Sequence, residues 1–210
     1  MRQKLIVALS VVALVGAFFL GSKAYLQSNS APAMSAEEKM RLAPSHAPTL
    51  GPADAKVTLV EFFDPACGTC AQFSPLTKAF VKEYEGKLRL VLRYAPFHEG
   101  SQTVVTMLEA AKAQGKYWEA LEAVLLYQNS WVFNHRAYPE RVWPILEHVG
   151  VDIKALEEAM KNPEIQAVIA QDIADGKALG VTKTPSFFVN GKPLERFGYD
   201  PLVQLVKSAL

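Results

Sequence analysis

The sequence has little cysteine and almost no net charge. Its 210 residues hold two cysteines and four histidines, with a formal net charge of +1. Two cysteines exclude a multi-disulfide scaffold, and also a zinc site with three or four Cys ligands. Lys and Arg total 22 against 21 Asp and Glu. No block of like charge stands out, so the basic footprint of a nucleic-acid binder is missing. Charged residues make up 20% of the chain, somewhat under the usual share of about 25%. Half of the residues are hydrophobic, as in a folded protein, and the length allows one ordinary domain plus an appendage. There is no internal repeat.

Residues 1–26 read as that appendage. Arg2 and Lys4 precede an uncharged, mostly apolar run from Leu5 to Leu20, and no acid occurs before residue 27. A basic start followed by an apolar stretch is the pattern of an export signal. The run to Leu20 is short for a membrane span, which needs roughly 17–25 residues; counting on to Leu26, with Lys23 snorkelling, makes it long enough. Ser22-Lys23-Ala24 offers a small-x-small cleavage site. Two readings stay open, an uncleaved signal-anchor over residues 5–26 and a cleaved signal peptide. In both, Arg2 and Lys4 stay inside and the rest is exported. Residues 27–49, rich in Ser, Ala and Pro, read as a linker. Within it Ser35 and Glu38 have capping-box spacing for a short helix through Leu42.

Residues 50–210 read as one α/β domain. Val57–Phe63 is nearly continuous in β-branched and aromatic residues, which suits a central strand buried on both faces. Cys67–Tyr84 has helical spacing and ends at Gly86, and Leu88–Tyr94 is the next strand. From about residue 100 to 180 the pattern is helical: stripes at Val104–Ala111, Trp118–Leu125, Val142–Val149 and Ile153–Met160, then a helix opened by Asn162-Pro163. Pro185–Val189 is a strand, Asn190-Gly191 a hairpin turn, Lys192–Phe197 the return strand and Pro201–Leu210 a last helix capped by Tyr199 or Asp200. A strand–helix–strand start implies a parallel pair with a right-handed crossover.

Both cysteines lie in Cys67-Gly68-Thr69-Cys70, where a strand hands over to a helix. The first N–H groups of a helix lack partners and its dipole is positive there, so a thiolate at Cys67 is stabilised. The thiolate is the form that attacks a disulfide. Cys70 lies one turn on, facing the same side, and reads as an inward-pointing resolving thiol. The other readings are structural zinc, a purely structural disulfide, and a Cu(I) site on two soft thiolates. His46, His98, His135 and His148 are scattered and complete no zinc site. Thr184-Pro185 is either an ordinary proline opening a strand or a cis-proline loop against the cysteines. In the second case the Thr184 backbone is free to pair with an extended substrate.

With Glu61-Phe62-Phe63 before it and Thr184-Pro185-Ser186-Phe187-Phe188-Val189-Asn190-Gly191 after a helical insertion, this sequence resembles the thioredoxin superfamily. More narrowly it resembles the DsbA-like exported thiol–disulfide oxidoreductases. The resemblance covers roughly Leu50–Leu210. It implies a thioredoxin-like fold with a helical insertion between the strand–helix–strand unit and the hairpin–helix. It also implies Cys67 as nucleophile, Cys70 as resolving cysteine, Pro185 as cis-proline and substrate binding at Thr184. No cofactor is expected, since the electrons sit in the cysteines. The expected partners are exported proteins with thiols or disulfides and a membrane redox partner. The expected place is the periplasmic side of a bacterial inner membrane, anchored, or the periplasm itself. The direction, oxidase or reductase and isomerase, stays open.

Glu61 stands where this superfamily keeps a buried acid that exchanges the Cys70 proton; the alternative is a solvent-facing strand residue. Arg93 reads as an ordinary exposed arginine, with pairing to Glu61 as the alternative. The Gly68-Thr69 dipeptide has no His and no Pro. It therefore lacks a cation that would strengthen oxidising power, though the Thr69 hydroxyl can reach the Cys67 sulfur. Trp118, Trp131 and Trp143 read as packing, and His98 as a loop cap or the edge of an active-site groove.

Overall fold

The computed structural model describes residues 35–210; the expected signal or anchor over 1–26 lies outside them. In chain order the elements are helix α1 (Ala36–Leu42), strand β1 (Thr49–Leu50), β2 (Val57–Phe63), α2 (Gly68–Glu83), β3 (Leu88–Tyr94), α3 (Ser101–Lys112) and α4 (Tyr117–Leu126). There follow β4 (Val132–Phe133), β5 (Arg136–Ala137), α5 (Trp143–His148), α6 (Ile153–Ala159), α7 (Pro163–Ala178), β6 (Ser186–Val189), β7 (Lys192–Pro193) and α8 (Tyr199–Lys207).

β2 lies at the centre of a five-stranded sheet ordered β1-β3-β2-β6-β7. It runs parallel to β3 and antiparallel to β6. Leu59, Val60, Phe62 and Phe63 are all buried, on both faces, which is why the segment shows no polar alternation. The strand–helix–strand unit and the late hairpin form as the sequence pattern predicts. Helices α3 to α7 make the insertion, packed through Val104, Leu108, Leu121, Trp131, Leu146 and Ile169, each no more than 2% exposed. Truncating such a side chain to Ala costs ~2–5 kcal/mol.

The structure departs from the sequence reading at five places. The expected linker 27–49 is already part of the fold from Ser35. Ser35 and Glu38 close a capping box on α1, Leu42 and Ala47 are buried, and Thr49–Leu50 pairs with β3. The folded unit thus begins at Ser35 rather than at residue 50. A Ser/Ala/Pro composition hid this, because the contacts that fix the segment come from β3 and α7. The return strand expected over 192–197 is only Lys192–Pro193: Pro193 has no N–H for a ladder, and Phe197 turns back to meet the Phe73 ring at 5.0 Å. The last helix starts at Tyr199, with Gly198 as a cap that offers no side chain. The short β4–β5 hairpin, turning through Asn134 and His135 at positive φ, has too few residues to show a pattern.

The fifth departure is Arg93. It is fully buried and does not pair with Glu61. Its Nε donates to Asp172 Oδ1 at 2.9 Å and its Nη2 to Asp175 Oδ2 at 2.8 Å. Its Nη1 donates to the Arg41 carbonyl. Asp172 also accepts the Tyr94 N–H at 2.8 Å and meets His46 Nε2 at 2.7 Å. Asp175 takes Arg41 Nη1 at 3.0 Å. Burial disfavours the Asp175 carboxylate, but the bonds from Arg93, Gln171 and Arg41 outweigh it and hold its pKa below the ordinary value. One buried cluster thereby fastens α1, β3 and α7 together.

Candidate active site

The residues singled out in the sequence converge at the C-terminal end of β2. Asp64, Pro65 and Ala66 turn the chain out of the strand, and Cys67 is the N-cap of α2, with extended backbone (φ −78°, ψ 116°) and no capping side chain. Its sulfur lies at a helix start, where backbone donors are free and the dipole is positive. Both cysteines are reduced, and Cys70 is 1% exposed against 8% for Cys67.

The two thiols are set in opposite directions. The Cys67 pKa is lowered to about 5. The largest cause is the hydrogen bond from the Cys70 thiol. Burial opposes it, while the Thr184 side chain and the backbone N–H groups of Cys70 and Thr69 add to it. The Thr69 contribution comes from its backbone. Cys70 is pushed far up, first by burial and then by donating its own hydrogen to Cys67. At neutral pH the pair is one thiolate and one thiol.

The loop before β6 completes the site. The Thr184–Pro185 peptide is cis, and the Thr184 carbonyl lies 3.4 Å from Cys67 Sγ. Only a protonated Cys67 can donate to that oxygen. The Thr184 side chain acts the other way and favours the thiolate.

Glu61 is 3% exposed, opposite Leu92 on β3 and Phe187 on β6. Burial, helped by repulsion from Cys67, raises its pKa to about 8. Thr77 and Lys78 on α2 pull more weakly the other way. Glu61, Cys70, Thr77 and Trp118 line a cavity of about 10 Å³, the room of one water molecule.

Three residues of this region escaped the sequence reading or were only half read. Asp64 is fully buried; its Oδ1 accepts the Ala66 N–H at 2.8 Å and the Ser101 hydroxyl, and its Oδ2 accepts the His98 N–H at 2.8 Å. His98 Nδ1 lies 2.7 Å from the same Oδ2, so His98 caps this loop, and its ring stacks on His135 at 6.2 Å. Gln128, after α4, donates from Nε2 to the carbonyls of Pro65 at 2.7 Å and Cys67 at 3.1 Å. In the sequence Asp64 looks like turn chemistry and Gln128 like a loop residue. Neither carries a local signal for partners this distant. Among the described residues no group of three or more His, Cys, Asp and Glu side chains is placed to hold a metal ion.

A family model described as thioredoxin matches residues 45–208. The solved structure of a thioredoxin-like oxidoreductase from Silicibacter pomeroyi superposes with a TM-score of 0.69 at 31% identity, covering 83% of this chain and 98% of that one. A Na⁺/H⁺ antiporter of Herminiimonas arsenicoxydans is 31% identical over 150 residues, which are 71% of this chain and 23% of the antiporter. A Rickettsia conorii protein, provisionally named a protein-disulfide oxidoreductase, is 25% identical over 167 residues, 77% of this chain and 59% of that protein. The chain therefore spans about a quarter of the antiporter's length and under two thirds of the Rickettsia protein's.

Proposed function

The chain belongs to the thioredoxin family, and we propose that it is a DsbA-like thiol–disulfide oxidoreductase that donates disulfides to exported proteins through Cys67 and Cys70. The observation that carries this reading is the opposed pair of thiols at a helix start: the hydrogen bond from Cys70 favours Cys67 as thiolate, while burial and that same bond keep Cys70 as thiol. A thiolate stabilised in the reduced form makes the disulfide a stronger oxidant. The value near 5 lies between those of thioredoxin, about 7, and DsbA, about 3.5. The helix start, the neighbouring thiol and Thr184 thus supply stabilisation that the Gly-Thr dipeptide does not.

The steps follow from the geometry. A client thiolate attacks Cys67 Sγ of the protein disulfide, forming a mixed disulfide, and Cys70 leaves. Its sulfur takes a proton, which Glu61, protonated below about pH 8, supplies through the water-sized cavity. The client's second thiolate attacks the client sulfur of the mixed disulfide, and Cys67 leaves as the stabilised thiolate. The client loses two electrons and the protein gains two. Thr184 and the Pro185 loop hold the client segment beside Cys67. A redox partner at the membrane then accepts the electrons, and the basic–apolar pattern of residues 1–26 supports export to that side of the membrane.

A Cu(I) carrier on the same two sulfurs has less support, since such a site takes both as thiolates and burial keeps Cys70 protonated. Equilibration of residues 35–210 with glutathione tests the proposal. The expected potential lies well above thioredoxin's about −270 mV and below DsbA's about −120 mV. A value at or under the thioredoxin figure overturns the oxidising direction. The lack of any reversible two-electron couple overturns disulfide exchange altogether.

A further inference from the structure

We propose that Gln128 is a positioning residue that sets the redox balance of the Cys67–Cys70 couple from the helical insertion. The inference deepens the reading above and rests on it.

Gln128 opens a single 3₁₀ turn, Gln128–Ser130, directly after α4. It is 8% exposed, and its amide nitrogen points at the cysteine loop. Nε2 reaches Pro65 O at 2.7 Å and Cys67 O at 3.1 Å, so both of its hydrogens go to backbone on either side of Ala66. The other end of the amide faces the dipeptide: a Cβ added at Gly68 would lie 3.7 Å from Gln128 Oε1. The turn that carries Gln128 is itself fixed. Its carbonyl accepts the Trp131 N–H at 3.1 Å, and the fully buried Trp131 ring donates to Val124 O at 2.9 Å.

Two effects favour the thiolate. The clamp holds the Cys67 backbone as N-cap, which keeps the N–H groups of Thr69 and Cys70 aimed at Sγ. The amide hydrogens also offset the partial negative charge of the Pro65 and Cys67 carbonyls beside the sulfur, in a buried region where such charges act strongly. A thiolate gains more from both than a neutral disulfide does. Loss of the donors therefore destabilises the reduced form relative to the disulfide. Ala71 N–H, at 3.2 Å, still bonds the Cys67 carbonyl, so the helix start survives while the loop loosens.

Gln128→Met keeps an unbranched chain of similar length and removes the donors. Titrating thiolate absorbance should show the Cys67 midpoint raised, with three- to tenfold less thiolate at pH 5. The glutathione equilibrium should shift toward the protein disulfide by a similar factor, a tenfold shift being about 30 mV for a two-electron couple. Gln128→Glu, which keeps the shape and sets a carboxylate beside Cys67, should move both readouts in the same direction and further. It stands in for the Met variant should that one fail to fold. Gly68→Ala should change the potential by a different amount in the Gln128→Met background than in the parent. Midpoint and equilibrium constant within twofold of the parent, with only the melting temperature lowered, would mean that Gln128 merely packs, and the proposal would be overturned. A parent protein with no reversible couple would instead remove the functional reading itself.

Discussion

Glu61 and Cys70 line the same water-sized cavity, and burial is the largest cause of the raised pKa of each. A proton passing between them through that space carries the negative charge from the leaving sulfur to the Glu61 carboxylate, and burial holds both groups ready to take the proton back. Glu61→Gln should therefore slow the step in which Cys70 attacks or leaves, about 10- to 100-fold. It should also remove the inflection near pH 8 from the rate profile, while Cys67 alkylation at pH 6 proceeds as in the parent. Stopped-flow reduction across pH 5–10 measures this.

The same residue fixes a stability trend. A carboxyl whose folded pKa lies near 8 keeps its proton between about pH 4.5 and 8 while the unfolded chain loses it. Stability of the reduced protein therefore falls as pH rises through that window, by about 1.4 kcal/mol for each pH unit that separates the two values. Glu61→Gln should be more stable than the parent at pH 7 and about equal at pH 4, read by urea unfolding under reducing conditions.

Cys67 sets the slope of the potential. Below about pH 5 both reduced sulfurs carry protons, and above it only Cys70 does. The potential should fall about 59 mV per pH unit below that point and about 30 mV above it. Measured potentials at pH 4 to 7 that run along one straight line would contradict the assigned thiolate. For stability the sign is the reverse of Glu61: the lowered Cys67 value stabilises the reduced fold fully above about pH 9, the ordinary thiol value, and that contribution shrinks as pH falls from there until it is gone below about 5.

Arg93→Met should cost about 3–5 kcal/mol in guanidinium unfolding, because it leaves Asp172 and Asp175 buried without their shared cation. The potential of the cysteine couple should stay within about 30 mV, one tenfold step in the equilibrium constant, since the cluster joins α1, β3 and α7 rather than the cysteine loop.

Gly100→Ala should be among the worst single-methyl additions. Gly100 has φ +81°, and an added Cβ would lie 2.5 Å from the Ala137 carbonyl oxygen. The β4–β5 hairpin would have to leave α3, at a cost of ~2 kcal/mol or more. A melting temperature within a degree or two of the parent would contradict this.

What the sequence made legible was local. β2 and β3 fall where the apolar runs of Val57–Phe63 and Leu88–Tyr94 place them, Cys67 stands at the handover from strand to helix, and Asn162 caps its helix as Asn162-Pro163 suggests. Arg93 misled because its place in a strand says nothing of Asp172 and Asp175, 79 and 82 residues later on a helix whose pattern shows only its apolar stripe. Gln128 was hidden the same way, its carbonyl partners lying 63 and 61 residues back. Buried polar contacts between distant elements leave no periodicity behind. The sequence pointed to the residues proposed for the sulfur chemistry, while the groups that hold them in place emerged only from the packing.

The two outermost strands of the sheet, Thr49–Leu50 and Lys192–Pro193, are each two residues long. Under the proposed function, the protein meets extended client segments looking for a sheet to join. With so little free edge, and a proline on one of them, this sheet gives such segments almost nowhere to add on and start an aggregate. Under the proposed function, the backbone it leaves open to an incoming strand is that of Thr184, where a captured chain meets a sulfur and is released once its disulfide has formed.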